Sequence, residues 1–235
     1  MVGSAEQLSL PFENKPLYHR DDFVIAPSNI SAYHLVNNWP DWGFASACII
    51  GAKGAGKTHL ASIWQSKSQA YRVSAKNIGE GFALLTAGSN ILLEDLTYGD
   101  FIEKELFHLF NNVVQARVVY PQVSLLITAQ TSPLNWPMEL KDLLSRFRAI
   151  PKIAINPPED MVLAAIMGKL FSDMQVRVDS KLIDYAVSRM ERSIEFAVDF
   201  VNRCNVKALA EKSKITKTII EAVLTELMTK AGRNQ

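Results

Sequence analysis

Little in this 235-residue sequence suits a secreted, membrane-bound or metal-holding protein. It has two cysteines, Cys48 and Cys204, too few for a disulfide framework. Cys48 lies in an apolar run and Cys204 in a helical pattern, so both read as core filler in a reducing compartment. The four histidines, His19, His34, His59 and His108, show no metal-ligand spacing with either cysteine, which argues against zinc. A basic n-region and an apolar h-region are missing from the N-terminus, and no apolar run is long enough to span a bilayer. A cytoplasmic location is therefore expected. Charge of one sign is also lacking: 25 Lys and Arg against 24 Asp and Glu give +1, so bulk electrostatics draw the chain to neither nucleic acid nor membrane. There is no repeat and no low-complexity segment. What remains, 48% hydrophobic and 21% charged, is the composition of a globular protein with one large domain or two small ones.

The informative stretch is Gly51-Ala52-Lys53-Gly54-Ala55-Gly56-Lys57-Thr58, which satisfies G-x-x-x-x-G-K-[ST]. In such a loop, backbone N–H groups wrap a nucleotide's phosphates, the lysine reaches the terminal phosphate and the hydroxyl joins Mg²⁺. Residues 45–50 before it read as a buried parallel strand. His59 to Gln65 after it read as a helix, so the phosphates meet a helix N-terminus. The bland alternative is a glycine-rich turn.

Around this loop the chain alternates strand and helix. Residues 1–16 form an extended tail without a periodic apolar face, in which Gln7, Leu8, Leu10, Pro11 and Phe12 make a short apolar motif. Such a peptide either docks in another protein's pocket or folds back on its own domain. The run Phe23-Val24-Ile25-Ala26 precedes a helix from Ile30 to Trp39 that Ser28 or Asn29 can cap. It walls a nucleotide base or lies on the sheet as a lid. Asn90 to Leu96 is a continuous apolar strand ending in Glu94 and Asp95, where Mg²⁺ and an attacking water are held beside a phosphate loop. Glu94 and Thr58 are the expected metal ligands. The strand from Val123 to Ala129 brings Thr128 and Gln130 to the same rim, as phosphate sensors or as an ordinary strand end.

The alternation predicts an α/β fold, a doubly wound parallel sheet over residues 17–156. After Asn156-Pro157-Pro158 only amphipathic helices follow, so residues 157–235 are expected to form a small all-helical lid domain.

Together these motifs resemble the AAA+ ATPases, and more narrowly the replication-initiator branch around DnaA. Phe23 to Asn29, Gly51 to His59, the Glu94-Asp95 pair and Ser145-Arg146-Phe147 fall in that branch's order and rough spacing. The fold implied is an AAA+ P-loop parallel-sheet domain with a helical lid. Two features set the chain apart from an initiator: no C-terminal helix-turn-helix domain is expected after the lid, and the tail is similar to the motif by which Hda proteins dock on the DNA polymerase sliding clamp. The resemblance then implies an Hda-like negative regulator of replication initiation. The partners it implies are the clamp's beta subunit and the DnaA initiator, a homodimer is compatible, and no dedicated DNA-binding domain is expected. ADP or ATP with Mg²⁺ is the implied cofactor, held by Val24, Ile25, Gly51, Lys53, Gly54, Ala55, Gly56, Lys57, Thr58, His59, Thr128 and Arg192. Arg146 is implied to act in trans as an arginine finger on the initiator's nucleotide, with Glu94 and Asp95 as the chain's own catalytic acids. Without the resemblance Arg146 reads as a salt-bridging residue at a helix end, with Arg148 its local competitor.

Three departures weaken self-hydrolysis more than nucleotide binding. Glu94 replaces an Asp, Gln130 replaces a charged sensor, and Glu195 occupies the place of the lid's sensing Arg, with Arg192 one turn earlier. Weak or no intrinsic ATPase activity is therefore expected. The rivals are an autonomous AAA+ ATPase of the helicase-loader kind and an adaptor that nucleotide merely stabilises.

Overall fold

The computed structural model describes residues 23–232. The tail motif at Gln7, Leu8, Leu10, Pro11 and Phe12 lies outside these residues.

Five strands form one parallel sheet in the order β2-β3-β4-β1-β5: β1 Ser46–Gly51, β2 Tyr71–Val73, β3 Ile91–Leu96, β4 Leu125–Ala129 and β5 Lys152–Ile155. Their near-continuous apolar sequence follows from burial on both faces. Period-two alternation sends neighbours to opposite cores. Ala47, Ile49, Leu92 and Leu126 join α1 (Ile30–Asn37) and α2 (Lys57–Ser68) on one face. Cys48, Ile91, Leu93, Leu125 and Ile127 face the other way, under α3 (Glu80–Thr86), α4 (Glu103–Val119) and α5 (Lys141–Ala149). The first face is finished by aromatic packing, with Trp42 stacked on Trp64 at 5.6 Å between centroids and Trp39 edge-on to Trp64 at 6.3 Å.

The lid helices, α6 (Asp160–Asp173), α7 (Ser180–Val187), α8 (Ile194–Ala210) and α9 (Lys217–Gly232), enclose a core of their own. Leu163, Met167, Phe171, Phe200, Cys204, Ile219 and Val223 are all but inaccessible there. Both cysteines are buried and unpaired, and burial pushes each thiol up to about 12, so neither carries thiolate at neutral pH.

Asn29 sits at the start of α1, yet its side chain does not cap that helix. Its Oδ1 accepts from the Ala26 N–H and its Nδ2 donates to the Val24 carbonyl, both at 2.9 Å. The amide therefore staples the preceding loop, because Pro27 forces a turn there whose polar groups are buried and need partners. Thr128, expected at the rim, is instead fully buried inside β4.

Arg117, in the last turn of α4, ties the far end of the sheet together. Its guanidinium donates to the carbonyls of Phe44 at 2.7 Å and Trp42 at 3.1 Å, and reaches the Val123 carbonyl at 3.4 Å. A planar fork satisfies acceptors on separate segments in a way that an ammonium on a flexible stem does not. Arg117→Ala is expected to lower stability by about 2–3 kcal/mol in urea unfolding, because partly buried carbonyls lose their donor. Arg117→Lys should recover less than half of that, and a loss below about 0.5 kcal/mol for Arg117→Ala would contradict the assignment.

Candidate nucleotide-binding site

The phosphate loop leaves the C-terminal end of β1, flanked by β4 and β5, and enters α2. That edge of an open parallel sheet is where ligands sit in such folds. Two of its glycines have left-handed backbones, Gly54 at φ +74° and Gly56 at φ +90°. A side chain is disfavoured at both, and at Gly54 the space is also taken: a Cβ would stand 2.9 Å from the Ser193 hydroxyl. Gly51 lets the loop pass close to β5, since a Cβ there would meet Ala55 at 3.1 Å and Ile155 at 3.3 Å. The loop thus has a shape that backbone amides can line and side chains cannot fill. Gly56 is the residue before α2, and no side chain among the described residues caps that helix, so its first N–H groups stay available to an anion.

Lys57 is 5% exposed, and its ammonium is held over the loop. It donates to the Ala52 carbonyl at 3.1 Å and stands 3.6 Å from an Asp95 carboxylate oxygen. Asp95 reaches this position because β3 breaks register with β4 between Leu93 and Leu96, which leaves Asp95 at φ +49°. Asp is among the few residues that tolerate this conformation. Thr128 braces the break from below: its Oγ1 accepts the Asp95 N–H at 2.8 Å. A buried hydroxyl committed to the strand end in this way acts as a strut under the site.

Glu94 takes the other direction. Arg72 of β2 pairs in register with Leu92, so Arg72, Leu92 and Glu94 share one face of the sheet. The Arg72 guanidinium meets a Glu94 carboxylate oxygen at 2.5 Å, while the second oxygen is buried without a hydrogen-bond partner. The two carboxylates that are adjacent in sequence are therefore engaged with different cations.

A nucleoside diphosphate or triphosphate fits the loop: left-handed glycines at 54 and 56 shape its backbone, no side-chain cap bond closes the start of α2, and the Lys57 ammonium lies over it. Thr58, the second residue of α2, brings a hydroxyl, and Asp95 and Glu94 bring carboxylates, a hard-oxygen set of the kind Mg²⁺ takes alongside substrate phosphates. The unpartnered Glu94 oxygen is a free acceptor for such an ion or its water. No cluster of three or more His, Cys, Asp or Glu side chains occurs among the described residues, so a metal here would rely on the phosphates for the rest of its shell.

The segment before α1 closes one side of the loop. Phe23 packs edge-on to His59 at 5.1 Å and stacks on Tyr33 at 5.8 Å, with its ring 3.5 Å from where a Gly56 Cβ would lie. Val24 is half-buried and Ile25 is 48% exposed, so an apolar edge borders the loop. Lys53 points to solvent.

The lid contributes a residue that the sequence reading does not single out. Ser193, the N-cap of α8, donates its hydroxyl to the Gly54 carbonyl at 2.6 Å. Arg192 faces away, forming an ion pair with Asp160 at 3.0 Å on the lid's own surface. Ser193 is readable from sequence as a helix cap, but nothing local indicates a partner 139 residues away.

Arg146 lies on the exposed side of α5, apart from these groups in its contacts. Its guanidinium donates to the Asn111 side-chain oxygen at 2.6 Å and sits 5.9 Å from the Phe107 ring centroid, both on α4. Arg148 is exposed on the same helix. No helix among the described residues is long and apolar enough to cross a membrane.

No model of a known protein family matches the chain. Among curated proteins it is similar to the chromosomal replication initiator protein DnaA of Thermomicrobium roseum, 24% identical over 94% of this chain and 52% of that protein. DnaA of Lactobacillus delbrueckii subsp. bulgaricus is 23% identical over 76% of this chain and 43% of its own length. The chain thus spans about half the length of the curated relatives it matches. Among solved structures, domain III of Thermotoga maritima DnaA superposes with a TM-score of 0.67 at 18% identity, covering 90% of this chain and 97% of that one. AMPPCP-bound DnaA from Aquifex aeolicus gives 0.66 at 18% identity, over 83% of this chain and 67% of that one. The RuvB Holliday junction branch migration motor of Thermotoga maritima gives 0.64 at 18% identity, over 88% and 71%. The chain therefore has the AAA+ fold of DnaA domain III, and its sequence is similar to that of DnaA initiators along most of its length.

Proposed function

We propose that this chain is a nucleotide-binding AAA+ regulator of the Hda kind, which acts on the ATP-bound DnaA initiator and lowers its activity. The observation that carries the reading is the placement of Arg146: an exposed guanidinium, oriented by Asn111 and Phe107 on α4, whose contacts are separate from those of the chain's own phosphate loop. A fixed, permanently charged guanidinium in that position can neutralise charge growing on a phosphoryl group held by a neighbouring molecule. The neighbour proposed here is DnaA. The resident nucleotide, ADP or ATP, supplies anionic phosphates that hold the site together. Amides at Gly54 to Thr58, the Lys57 ammonium and the N-terminus of α2 bind those phosphates, with Val24 and Ile25 against the base.

Recruitment is assigned to the tail, residues Gln7, Leu8, Leu10, Pro11 and Phe12, on the beta subunit of the DNA polymerase sliding clamp. The setting is the cytoplasm. No membrane takes part in the proposed action.

A second reading, an autonomous ATPase, is favoured by one contact, the 3.6 Å approach of Asp95 to Lys57. Against it stand Glu94, held by Arg72, and Arg192, held by Asp160. The isolated chain should hydrolyse ATP slowly and lose little further activity on Asp95→Asn. Turnover above about 1 s⁻¹ that Asp95→Asn abolishes would select the autonomous reading instead.

Two experiments test the leading proposal. Mixed with DNA-loaded clamp and ATP-charged DnaA, the wild-type chain should accelerate phosphate release, and Arg146→Ala should reduce that stimulation by about 10³-fold or more. Arg146→Lys should restore little, since an ammonium lacks the planar fork. Unchanged stimulation by Arg146→Ala would leave the chain a binding adaptor. Separately, Gln7→Ala with Leu10→Ala should abolish clamp binding in a pull-down while ADP affinity stays within about twofold, as two independent sites require. Parallel loss of both would refute separate roles for tail and site.

A further inference from the structure

The phosphate loop is held from outside as well as from within. Its internal ties are few: the Ala55 N–H donates to the Ala52 carbonyl at 3.2 Å, and Lys57 donates to the same carbonyl at 3.1 Å. The third tie comes from the lid, where the Ser193 hydroxyl donates to the Gly54 carbonyl at 2.6 Å. That hydroxyl has no freedom left. It also accepts the Phe196 N–H at 3.2 Å as the cap of α8, and Ser193 is only 4% exposed. One donor hydrogen goes to the loop and an acceptor lone pair goes to the helix, so the rotamer is fixed by both at once.

The contact is also tightly packed. A Cβ on Gly54 would lie 2.9 Å from the Ser193 oxygen and 3.5 Å from a Glu191 carboxylate oxygen. Because the peptide unit is planar and trans, pinning the Gly54 carbonyl towards the lid also fixes the direction of the Ala55 N–H on the opposite side. A loop of glycine and alanine loses much conformational entropy when it is ordered around an anion. A bond that orders it beforehand lowers that cost and slows release of the ligand.

We propose that Ser193 is a positioning residue through which the lid presets the phosphate loop, so that lid attachment and nucleotide retention are one coupled equilibrium. The inference rests on the reading that this loop binds a nucleotide. By reciprocity, nucleotide in the loop strengthens the lid's attachment to the sheet domain, and a partner that pulls the lid away speeds nucleotide release.

The test uses the full chain and a fluorescent ADP analogue. Ser193→Gly removes the hydroxyl without adding charge, and glycine at an N-cap costs only a few tenths of a kcal/mol. The variant should release the analogue about tenfold faster and bind it about tenfold more weakly. Its unliganded melting temperature should stay within about 2 °C of wild type. Ser193→Thr, which keeps the hydroxyl, should release at the wild-type rate. Wild-type release or tighter binding by Ser193→Gly would overturn the proposal, as would a Thr variant that is folded yet behaves like the Gly variant. A drop in unliganded melting that accounts for all the weakened binding would also overturn it, by making Ser193 a cap and nothing more. Failure of the wild type itself to bind ADP, with Lys57→Ala no different, would instead strike the nucleotide reading.

Discussion

A cradle for phosphate made of backbone must satisfy two demands that oppose each other: it needs amides turned inward at close spacing, and it needs to stay ordered without side chains to hold it. Glycines at φ +74° and +90° meet the first demand. The second is met by surroundings on every side, with β1 entering, α2 leaving, β5 in contact with Gly51, Phe23 packed near Gly56 and Ser193 bonded to Gly54. Most of the other features of the sheet domain follow from building those walls. The switch in strand order beside β1 opens the crevice, and the register break in β3 brings Asp95 to Lys57.

The distribution of charge around the cradle bears on the proposal that this chain binds a nucleotide and hydrolyses it slowly. Lys57 and Asp95 face each other, which suffices to orient an ammonium and to balance it before an anion arrives. The remaining groups that hydrolysis would call on are committed elsewhere. Glu94 is drawn to Arg72 by strand pairing, Arg192 is drawn to Asp160 within the lid, and the Thr128 hydroxyl accepts from the backbone beneath the site. Each engagement has to be broken before that group can act on a phosphate, and the Glu94 pair is a charge-assisted contact with the carboxylate mostly shielded from water. Among the described residues Arg146 carries no comparable ion pair: its partner Asn111 is neutral, which orients the guanidinium without cancelling its charge.

How much of this is legible in the sequence depends on the range of the interaction. The strands at residues 46–51 and 91–96 announce themselves as continuous apolar runs because both faces of the sheet are covered, and the lid helices show apolar spacing because each has one buried face. The phosphate loop is legible because its chemistry is local: eight consecutive residues carry it. Asp95 is legible as an acid at a strand end, but its turn towards Lys57 depends on a register break with β4 that no local pattern encodes. Glu94 and Arg72 are twenty-two positions apart, and only the pairing of Arg72 with Leu92 puts them on one face. Asn29 misleads for a related reason. The residue type is right for a helix cap, but the turn forced by Pro27 leaves nearer backbone groups, at Ala26 and Val24, that claim its amide.

Ser193 shows the same limit from the other side. As a cap its role is local and readable, since a serine before an amphipathic run accepts an N–H three residues on. The hydrogen it donates in return is decided by the docking of one domain on another. That docking in turn requires Gly54 to be glycine, for a side chain at φ +74° would both strain the backbone and occupy the place of the hydroxyl. The glycine that a phosphate motif calls for would therefore be asked for twice, once by an anion bound on its inner side and once by the lid on its outer side. A substitution there would register at both surfaces, which is why the loop and the lid are better treated as a single mechanical element than as a site with a cover.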